Sequence, residues 1–520
     1  MRLHDYLEYF AREIPDHVCA EMNGKTLTYR EVNFYANRFA YSLLAQGLRK
    51  GDHFTYISMN SMEMIVMYYG AAKTGIIPVP LNYRLAPHEA LYIVNDSSSK
   101  LVFCQPEFSE GIDTVSSEFE SVKALILLDS MGSQPGWIQF DDWLVADDSN
   151  PGIEIRDTDQ LYQMYTSGTT GLPKGVMSNH YAVCSNIASA GYFTGMETSA
   201  DRCLTVAPMY HVAAAVTAML VIANGSTVVI LAGFEPKTFI NNLESEKITM
   251  VTLVPAMIQA CLVNVPDIDS RDFSRLRRIT YGASPISMDT LVNAMEKFGC
   301  EFAQGFGMTE LSCIATGLSV EDHVRAVESE PRLLASAGRA IMGTEVRIAD
   351  DMDKEVPCGT IGEIQVRGPH LMTGYWNNPE ATQEALKDGW MHTGDAAFMD
   401  EKGYIYIQDR IKDMVVSAGE NIYPAEVEKA LFKHPAIADA AVIGIPSEKW
   451  GESVLAFVAL KSNEKPTAED LIEFCRSYLA GYKLPQKVEF VDSLPRNASG
   501  KVLKNELRKP YWEGIKRKVN

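Results

Sequence analysis

The sequence predicts an α/β fold: a large N-terminal body of parallel sheets covered on both faces, a β-rich subdomain, and a small α+β unit at the C-terminus. Three observations predict it. Short apolar, β-branched runs alternate with helix-period segments through about the first four hundred residues, the pattern of covered parallel sheets. From about residue 333 to 408 the pattern becomes alternating strands joined by Gly- or Asp-rich turns. After a polar stretch at 408–413, a final segment of about a hundred residues carries its own helices and strands, enough for an independent unit.

Taken in order, the apolar runs at 101–104, 124–128 and 226–231 read as buried strands. Residues 212–233 are the most apolar long stretch, but Asn224-Gly225-Ser226-Thr227 interrupts them. They read as a buried helix, a turn and a buried strand, too broken to span a membrane. The run 161–165 reads as a strand that enters a loop and is followed by a helix-like stretch. Strands at 346–348, 361–366 and 404–407 make the β-rich subdomain. The last segment carries a helix at 425–433 and strands at 438–445 and 454–461. A second helix follows, N-capped by Thr467, with Glu469 and Asp470 complementing the dipole of its first turn.

Composition narrows the function. A chain of 520 residues, 46% hydrophobic and 22% charged, is globular rather than disordered or fibrous. Its net charge of -20 argues against broad contact with nucleic acid or anionic lipid, and is explained by solubility. Nine scattered cysteines, odd in number and without a C-x-x-C pair, read as reduced thiols of a cytoplasmic protein. Ten histidines include no H-E-x-x-H spacing, which disfavours zinc. The N-terminus has acidic residues where a signal peptide needs an apolar core.

The most informative segment is Tyr165-Thr166-Ser167-Gly168-Thr169-Thr170-Gly171-Leu172-Pro173-Lys174-Gly175. Glycines let backbone approach an anion, hydroxyls donate hydrogen bonds, and Lys174 adds a point charge. It is a phosphate loop without the G-x-x-x-x-G-K-[ST] order, and no G-x-G-x-x-G follows a strand. The alternative is an ordinary Ser/Thr/Gly-rich surface turn.

That loop resembles the signature of the adenylate-forming superfamily, which holds acyl- and aryl-CoA synthetases, peptide adenylation domains and beetle luciferases. The resemblance continues in order through Pro208-Met209-Tyr210-His211, Tyr281-Gly282-Ala283-Ser284-Pro285 and Gln304-Gly305-Phe306-Gly307-Met308-Thr309-Glu310. It ends with His392-Thr393-Gly394-Asp395, Asp409-Arg410-Ile411-Lys412-Asp413 and Pro495-Arg496-Asn497-Ala498-Ser499-Gly500-Lys501. It implies an N-terminal domain at 1–409 with two doubly covered sheets, a hinge at 410–413 and a mobile lid at 414–520. The activity it implies is an ATP-, Mg2+- and coenzyme A-dependent carboxylic acid–CoA ligase, proceeding through an acyl-adenylate. Relatives are commonly homodimers.

Residue by residue, the resemblance makes Lys501 the catalytic cation bridging carboxylate and α-phosphate; a solvated terminal lysine is the alternative. It places Lys174 with Thr166, Ser167, Gly168, Thr169, Thr170 and Gly171 on the phosphates, and Glu310 with Thr166 on the metal. Gly282, Ala283, Gln304, Gly305, Phe306, Gly307 and Thr309 line the adenine, with Phe306 where relatives usually carry tyrosine. Asp395, Ile407 and Arg410 hold the ribose side. Lys412 is the hinge and Gly419 lines the pantetheine tunnel; Ala418 stands where coumarate ligases and luciferases usually have lysine. The acyl pocket takes Tyr210, His211, Ala213, Ala214 and Ser284, with His211 either gating it or serving as a satisfied core residue. Small apolar residues after His211, with no charge to pair an α-amino group, favour a short- to medium-chain aliphatic or aryl monocarboxylate. An enzyme loading a carrier protein, a luciferase-like oxygenase and an inactive nucleotide-binding protein are the rival readings.

Overall fold

The computed structural model describes residues 1–128, 134–166, 172–196, 199–284, 286–417, 420–447, 449–461, 464–496 and 502–513. They fall into two compact units, one of Met1–Glu345 with Arg367–Met391, the other of Val346–Val366 with His392–Asn520. The β-rich stretch is therefore shared between the units.

Two parallel-rich sheets form the frame of the large unit. In one, Ile77–Leu81, His53–Ile57, Leu101–Cys104, Ala124–Leu127 and Trp137–Gln139 lie side by side, all parallel. Leu101 to Cys104 are buried throughout, which is why the run carries no polar alternation. The other sheet has a parallel centre, in the order Glu301–Phe306, Arg278–Gly282, Met250–Leu253, Arg202–Thr205, Thr227–Ile230 and Val18–Met22. Antiparallel strands border it at each edge. Helix Val212–Ala223 is apolar nearly all round, and it packs between helices Leu3–Glu13 and His180–Thr194 and the strands Arg202–Thr205 and Thr227–Ile230. Asn224 and the positive-φ Gly225 end it, as the sequence predicts. No described helix is long and apolar enough to cross a membrane.

A third sheet differs from the expected strand–loop–helix. Gln160–Thr166 pairs antiparallel with Lys174–Asn179, closing with Thr166 opposite Lys174, and Lys174–Asn179 pairs with Gly374–Tyr375. The helix begins only at His180, where the Asn179 side chain accepts from the Ala182 N–H. The phosphate loop thus lies in sequence between two strands of a hairpin and not directly before a helix.

In the small unit, Trp390–Met399 pairs with Ile405–Arg410, so half of the polar stretch at 408–413 is strand and only Ile411–Asp413 is a 3-10 turn. Ile437–Ser447 and Gly451–Leu460 form a long antiparallel pair, joined by Lys487–Phe490 and Val415–Ser417. Helices Pro424–Leu431 and Ala468–Arg476 cover one face, burying Val427, Leu431, Leu471 and Cys475. Thr467 closes a capping box with Asp470.

Burial leaves several histidines of the large unit uncharged. It lowers His4, His53, His211 and His370 to about 4 and His180 to about 3. Because their folded pKa lies below the ordinary 6.5, the unfolded chain binds more protons as pH falls, and stability is lost from about pH 6.5 downward. Each site costs about 1.4 kcal/mol per pH unit once well below 6.5. We expect the melting temperature to fall by about 5 °C or more between pH 7.5 and 5.0, measured by calorimetry. A flat profile over that range would contradict the burial of these rings.

Candidate active site

The hairpin places Thr166 and Lys174 as cross-strand partners at the two ends of the phosphate loop. Ser167, Gly168, Thr169, Thr170 and Gly171 lie outside the described residues. Tyr165, just before Thr166, is anchored: its hydroxyl donates to Asp96 Oδ2 at 2.5 Å and accepts from Gln163 Nε2 at 3.0 Å. Gln163 Oε1 lies 3.2 Å from His53 Nε2. A Cβ on Gly175 would meet Gln163 Nε2 at 2.7 Å, so a larger residue there would displace that amide from its network.

Glu310 sits in the 3-10 turn Thr309–Leu311, 6% exposed, and strand Lys174–Asn179 touches this turn. Its Oε1 accepts from the Tyr375 hydroxyl at 2.9 Å and its carbonyl accepts from the Met372 N–H at 2.8 Å. Lys174 Nζ stands 5.1 Å from the centroid of the same tyrosine ring. Sequence reasoning missed Tyr375; no chemical motif marks Gly374-Tyr375-Trp376, and its partner is 65 residues away.

The chain leaving Glu310 is held under strain. Ser312 and Cys313 both have positive φ, at 53° and 126°. Asn186 fixes them, donating to the Ile314 carbonyl at 2.7 Å and accepting from its N–H at 3.3 Å. The tight return brings the Cys313 carbonyl against Gly307, where a Cβ would lie 1.7 Å from that oxygen. We expect Gly307→Ala to lower the melting temperature and reduce nucleotide turnover at least about 100-fold, the consequence of a displacement worth roughly 3 kcal/mol. Gly233→Ala, with nothing within 4 Å of its Cβ, serves as the control and should match the parent in both.

Gly282 and Gly305 are directly opposed in parallel strands, and a Cβ on Gly282 would fall 2.2 Å from the Gly305 carbonyl. The neighbouring strand alone therefore demands glycine at 282, whatever ligand lies beyond. Ala283 follows with φ 67°, an uncommon conformation for a residue with a side chain. Gln304 Oε1 is buried with no partner among the described residues, an acceptor waiting for a donor. Phe306 ends its strand, partly exposed, and Thr309 opens the turn that holds Glu310.

His211 caps helix Val212–Ala223 through its backbone, with its ring tilted against Tyr210 at 4.6 Å. Burial keeps that ring neutral near pH 7. The Tyr210 hydroxyl is buried with no partner among the described residues, and Ala214 is buried while Ala213 and Ser284 are half-buried. Tyr281 turns instead into the core, where its hydroxyl lies 3.0 Å from His323 Nε2.

In the small unit, Asp395 and Arg410 are cross-strand partners, with Arg410 Nε 2.7 Å from Asp395 Oδ1. Arg410 also donates to the Thr393 carbonyl at 3.2 Å. Ile407 lies on the same strand as Arg410, opposite Ala397. Lys412 belongs to the turn Ile411–Asp413, its side chain outside the described residues, as are Ala418, Gly419 and Lys501 whole. Helix Lys504–Trp512 follows Lys501 closely and grips the segment around Lys412. Lys504 Nζ is 2.8 Å from Glu428 and 3.9 Å from Asp409, and Arg508 donates to Asp413 at 2.9 Å. Although burial alone would lower it, the Glu428 and Asp409 carboxylates raise the Lys504 pKa and hold it charged.

The AMP-binding enzyme model matches residues 7–376, and the AMP-binding enzyme C-terminal domain model matches 426–501. The chain belongs to the AMP-binding enzyme family. Among relatives of this AMP-binding enzyme, the fatty acid–[acyl-carrier-protein] ligase ScoC of Streptomyces coeruleorubidus is 37% identical over 98% of this chain and 97% of its own. The long-chain-fatty-acid–CoA ligase FadD13 of Mycobacterium tuberculosis is 37% identical over 93% of each. The crystal structure of ATP-bound MatB from Rhodopseudomonas palustris superposes with a TM-score of 0.89 at 30% identity, covering 99% of this chain and 100% of that one.

Proposed function

We propose that this enzyme is an ATP-dependent carboxylic acid–CoA ligase: carboxylate and ATP give acyl-AMP and pyrophosphate, and acyl-AMP with coenzyme A gives acyl-CoA and AMP. The observation that carries the reading is the meeting of Lys174, Glu310 and Tyr375 beside the phosphate hairpin. It sets a cation and a carboxylate next to a loop whose residues suit an anion. FadD13, by name a CoA ligase, supports thioester formation, while ScoC, by name a carrier-protein ligase, favours the second reading.

Mg2+ fits the donors present. Among the described residues no group of three or more His, Cys, Asp or Glu could cage a metal, so phosphate oxygens would supply most ligands, with the Glu310 carboxylate and Thr166 hydroxyl adding hard oxygens. Such an ion would spread the charge of the pyrophosphate leaving group. Lys174 binds the phosphates, and Gln304 Oε1, without a partner among the described residues, accepts from the adenine amino group. Gly282, Ala283, Gly305, Phe306 and Gly307 flank that base. Asp395, oriented by Arg410, accepts from the ribose hydroxyls, with Ile407 beside them. Two anions must meet for the adenylate to form, and Lys501 screens their repulsion. Lys412 is the hinge between an N-terminal domain at 1–409 and a lid at 414–520, and Gly419 lines the path of the CoA thiol.

The acid is a short- to medium-chain aliphatic or aryl monocarboxylate. The neutral His211 ring, Tyr210 and the small residues Ala213, Ala214 and Ser284 offer it no charge. The reduced thiols of all nine cysteines suit a cytoplasmic location. The decisive assay incubates the enzyme with ATP, Mg2+ and a panel of acids, with and without CoA. Pyrophosphate release with a CoA thioester is the expected result. Adenylate without thioester would favour a carrier-protein acceptor, and no nucleotide turnover would refute both.

A further inference from the structure

The segment 372–376 brackets the two groups on which phosphate binding rests. Its backbone ties down both neighbours: Met372 N–H donates to the Glu310 carbonyl, Thr373 N–H to the Met177 carbonyl, and Trp376 N–H to the Gly175 carbonyl at 2.7 Å. Tyr375, central in that bracket, pairs with Val176 in register and is 9% exposed. Its ring and its hydroxyl have separate partners. The ring takes the Lys174 ammonium, and the hydroxyl donates to the Glu310 carboxylate. Lys174 faces Thr166 across the hairpin, so one side chain joins the cation of the loop to the carboxylate of the turn.

We propose that Tyr375 is a positioning residue for Mg-ATP, its ring fixing Lys174 and its hydroxyl aiming the Glu310 carboxylate, so that cation and carboxylate are presented at one set separation. The hydroxyl occupies one carboxylate oxygen and fixes the plane of the group, which directs its remaining lone pairs. Outer partners of this kind orient a metal-binding carboxylate and typically govern affinity by about 10- to 100-fold. The ring meanwhile holds an ammonium that has no preferred direction of its own, unlike a guanidinium. Gly374 lets the strand lie this close: its φ of 148° brings the chain against Thr382, whose hydroxyl accepts from the Tyr375 N–H at 2.9 Å.

This inference rests on the reading of Glu310 as metal ligand and Lys174 as phosphate ligand. It separates the two contributions of Tyr375, and that separation makes it testable without turnover. ATP is titrated calorimetrically into the full chain, first in EDTA and then across a series of Mg2+ concentrations. Tyr375→Phe keeps the ring, so its ATP affinity in EDTA should match the parent within about twofold, while the Mg2+ needed for half-maximal tightening rises about tenfold or more. Tyr375→Leu should show the same Mg2+ shift and also bind ATP at least about threefold more weakly in EDTA. Adding Lys174→Met to Tyr375→Leu should weaken EDTA binding no further than Lys174→Met alone, because the ring acts through that lysine. Equal Mg2+ dependence in Tyr375→Phe and the parent overturns the proposal, as does full additivity in the double variant. Glu310→Gln, titrated in parallel, separates the two levels. If it moves the Mg2+ dependence and Tyr375→Phe does not, only the positioning role of Tyr375 falls. If Glu310→Gln leaves it unmoved, the metal reading of Glu310 falls and takes the proposal with it.

Discussion

Lys501→Ala is expected to abolish adenylate formation, by about a thousandfold in ATP–pyrophosphate exchange, while the transfer of acyl from supplied acyl-adenylate to CoA survives within about tenfold. The magnitude follows from Coulomb's law. A unit charge about 4 Å from a developing negative charge contributes roughly 4 kcal/mol at the effective dielectric of a half-buried site, which is about three powers of ten in rate. Removing a single oriented donor from a developing oxyanion has a comparable effect. The second half-reaction brings a thiol to an already activated acyl group, so the charge repulsion that the proposal has Lys501 screen is no longer the obstacle. The asymmetry between the two half-reactions is therefore the diagnostic quantity. Both falling by the same factor would mean that Lys501 supports folding or the shape of the lid. The comparison gains from the anchoring of helix Lys504–Trp512, whose Lys504 and Arg508 pair with Glu428 and Asp413.

What the sequence could and could not show follows from the range of each interaction. Leu101–Cys104 was legible as a strand because all four residues are buried, leaving an unbroken apolar run. Thr467 was legible as a cap because its partner, Asp470, is three residues away. The strand between the phosphate loop and helix His180–Thr194 was not legible. Lys174–Asn179 starts and ends with polar residues, and only pairing with Gln160–Thr166 on one side and Gly374–Tyr375 on the other makes it a strand. Likewise the strand Trp390–Met399, which contains His392-Thr393-Gly394-Asp395, was not legible. In the structure Thr393 donates to the Ile364 carbonyl, and Asp395 is opposite Arg410. Tyr375 was invisible for the same reason in stronger form, since its side-chain partners Glu310 and Lys174 are both remote in sequence. Motifs name the groups that meet the substrate; the residues that aim those groups are set by tertiary register.

Lys412→Pro is expected to leave ATP–pyrophosphate exchange within about tenfold of the parent and to reduce CoA thioester formation by about 100-fold or more. Proline fixes φ near −65° and removes one N–H. In the turn Ile411–Asp413 neither change is severe, because a 3-10 turn runs at a similar φ and Lys412 sits in its first turn, where the N–H needs no partner within the turn. The conformation seen here can therefore tolerate the ring, although the residue before it, Ile411, is pushed toward extended backbone. A hinge, by contrast, must absorb a large φ/ψ change over a few residues, and a locked φ resists it by about 3 kcal/mol, the source of the 100-fold estimate. The flanks of Lys412 are held hard. Asp409 accepts from the Ala425 N–H at 2.7 Å and lies 3.9 Å from Lys504, while Asp413 is bound by Arg508. Because Ala425, Lys504 and Arg508 all lie C-terminal to residue 413, a pivot at 412 would have to release the Asp409 contacts, while Asp413 could keep its own. Measuring the two half-reactions on one preparation decides the matter: unequal loss supports a pivot at 412, and equal loss removes the pivot from this position while leaving the chemistry of Lys501 and Glu310 untouched.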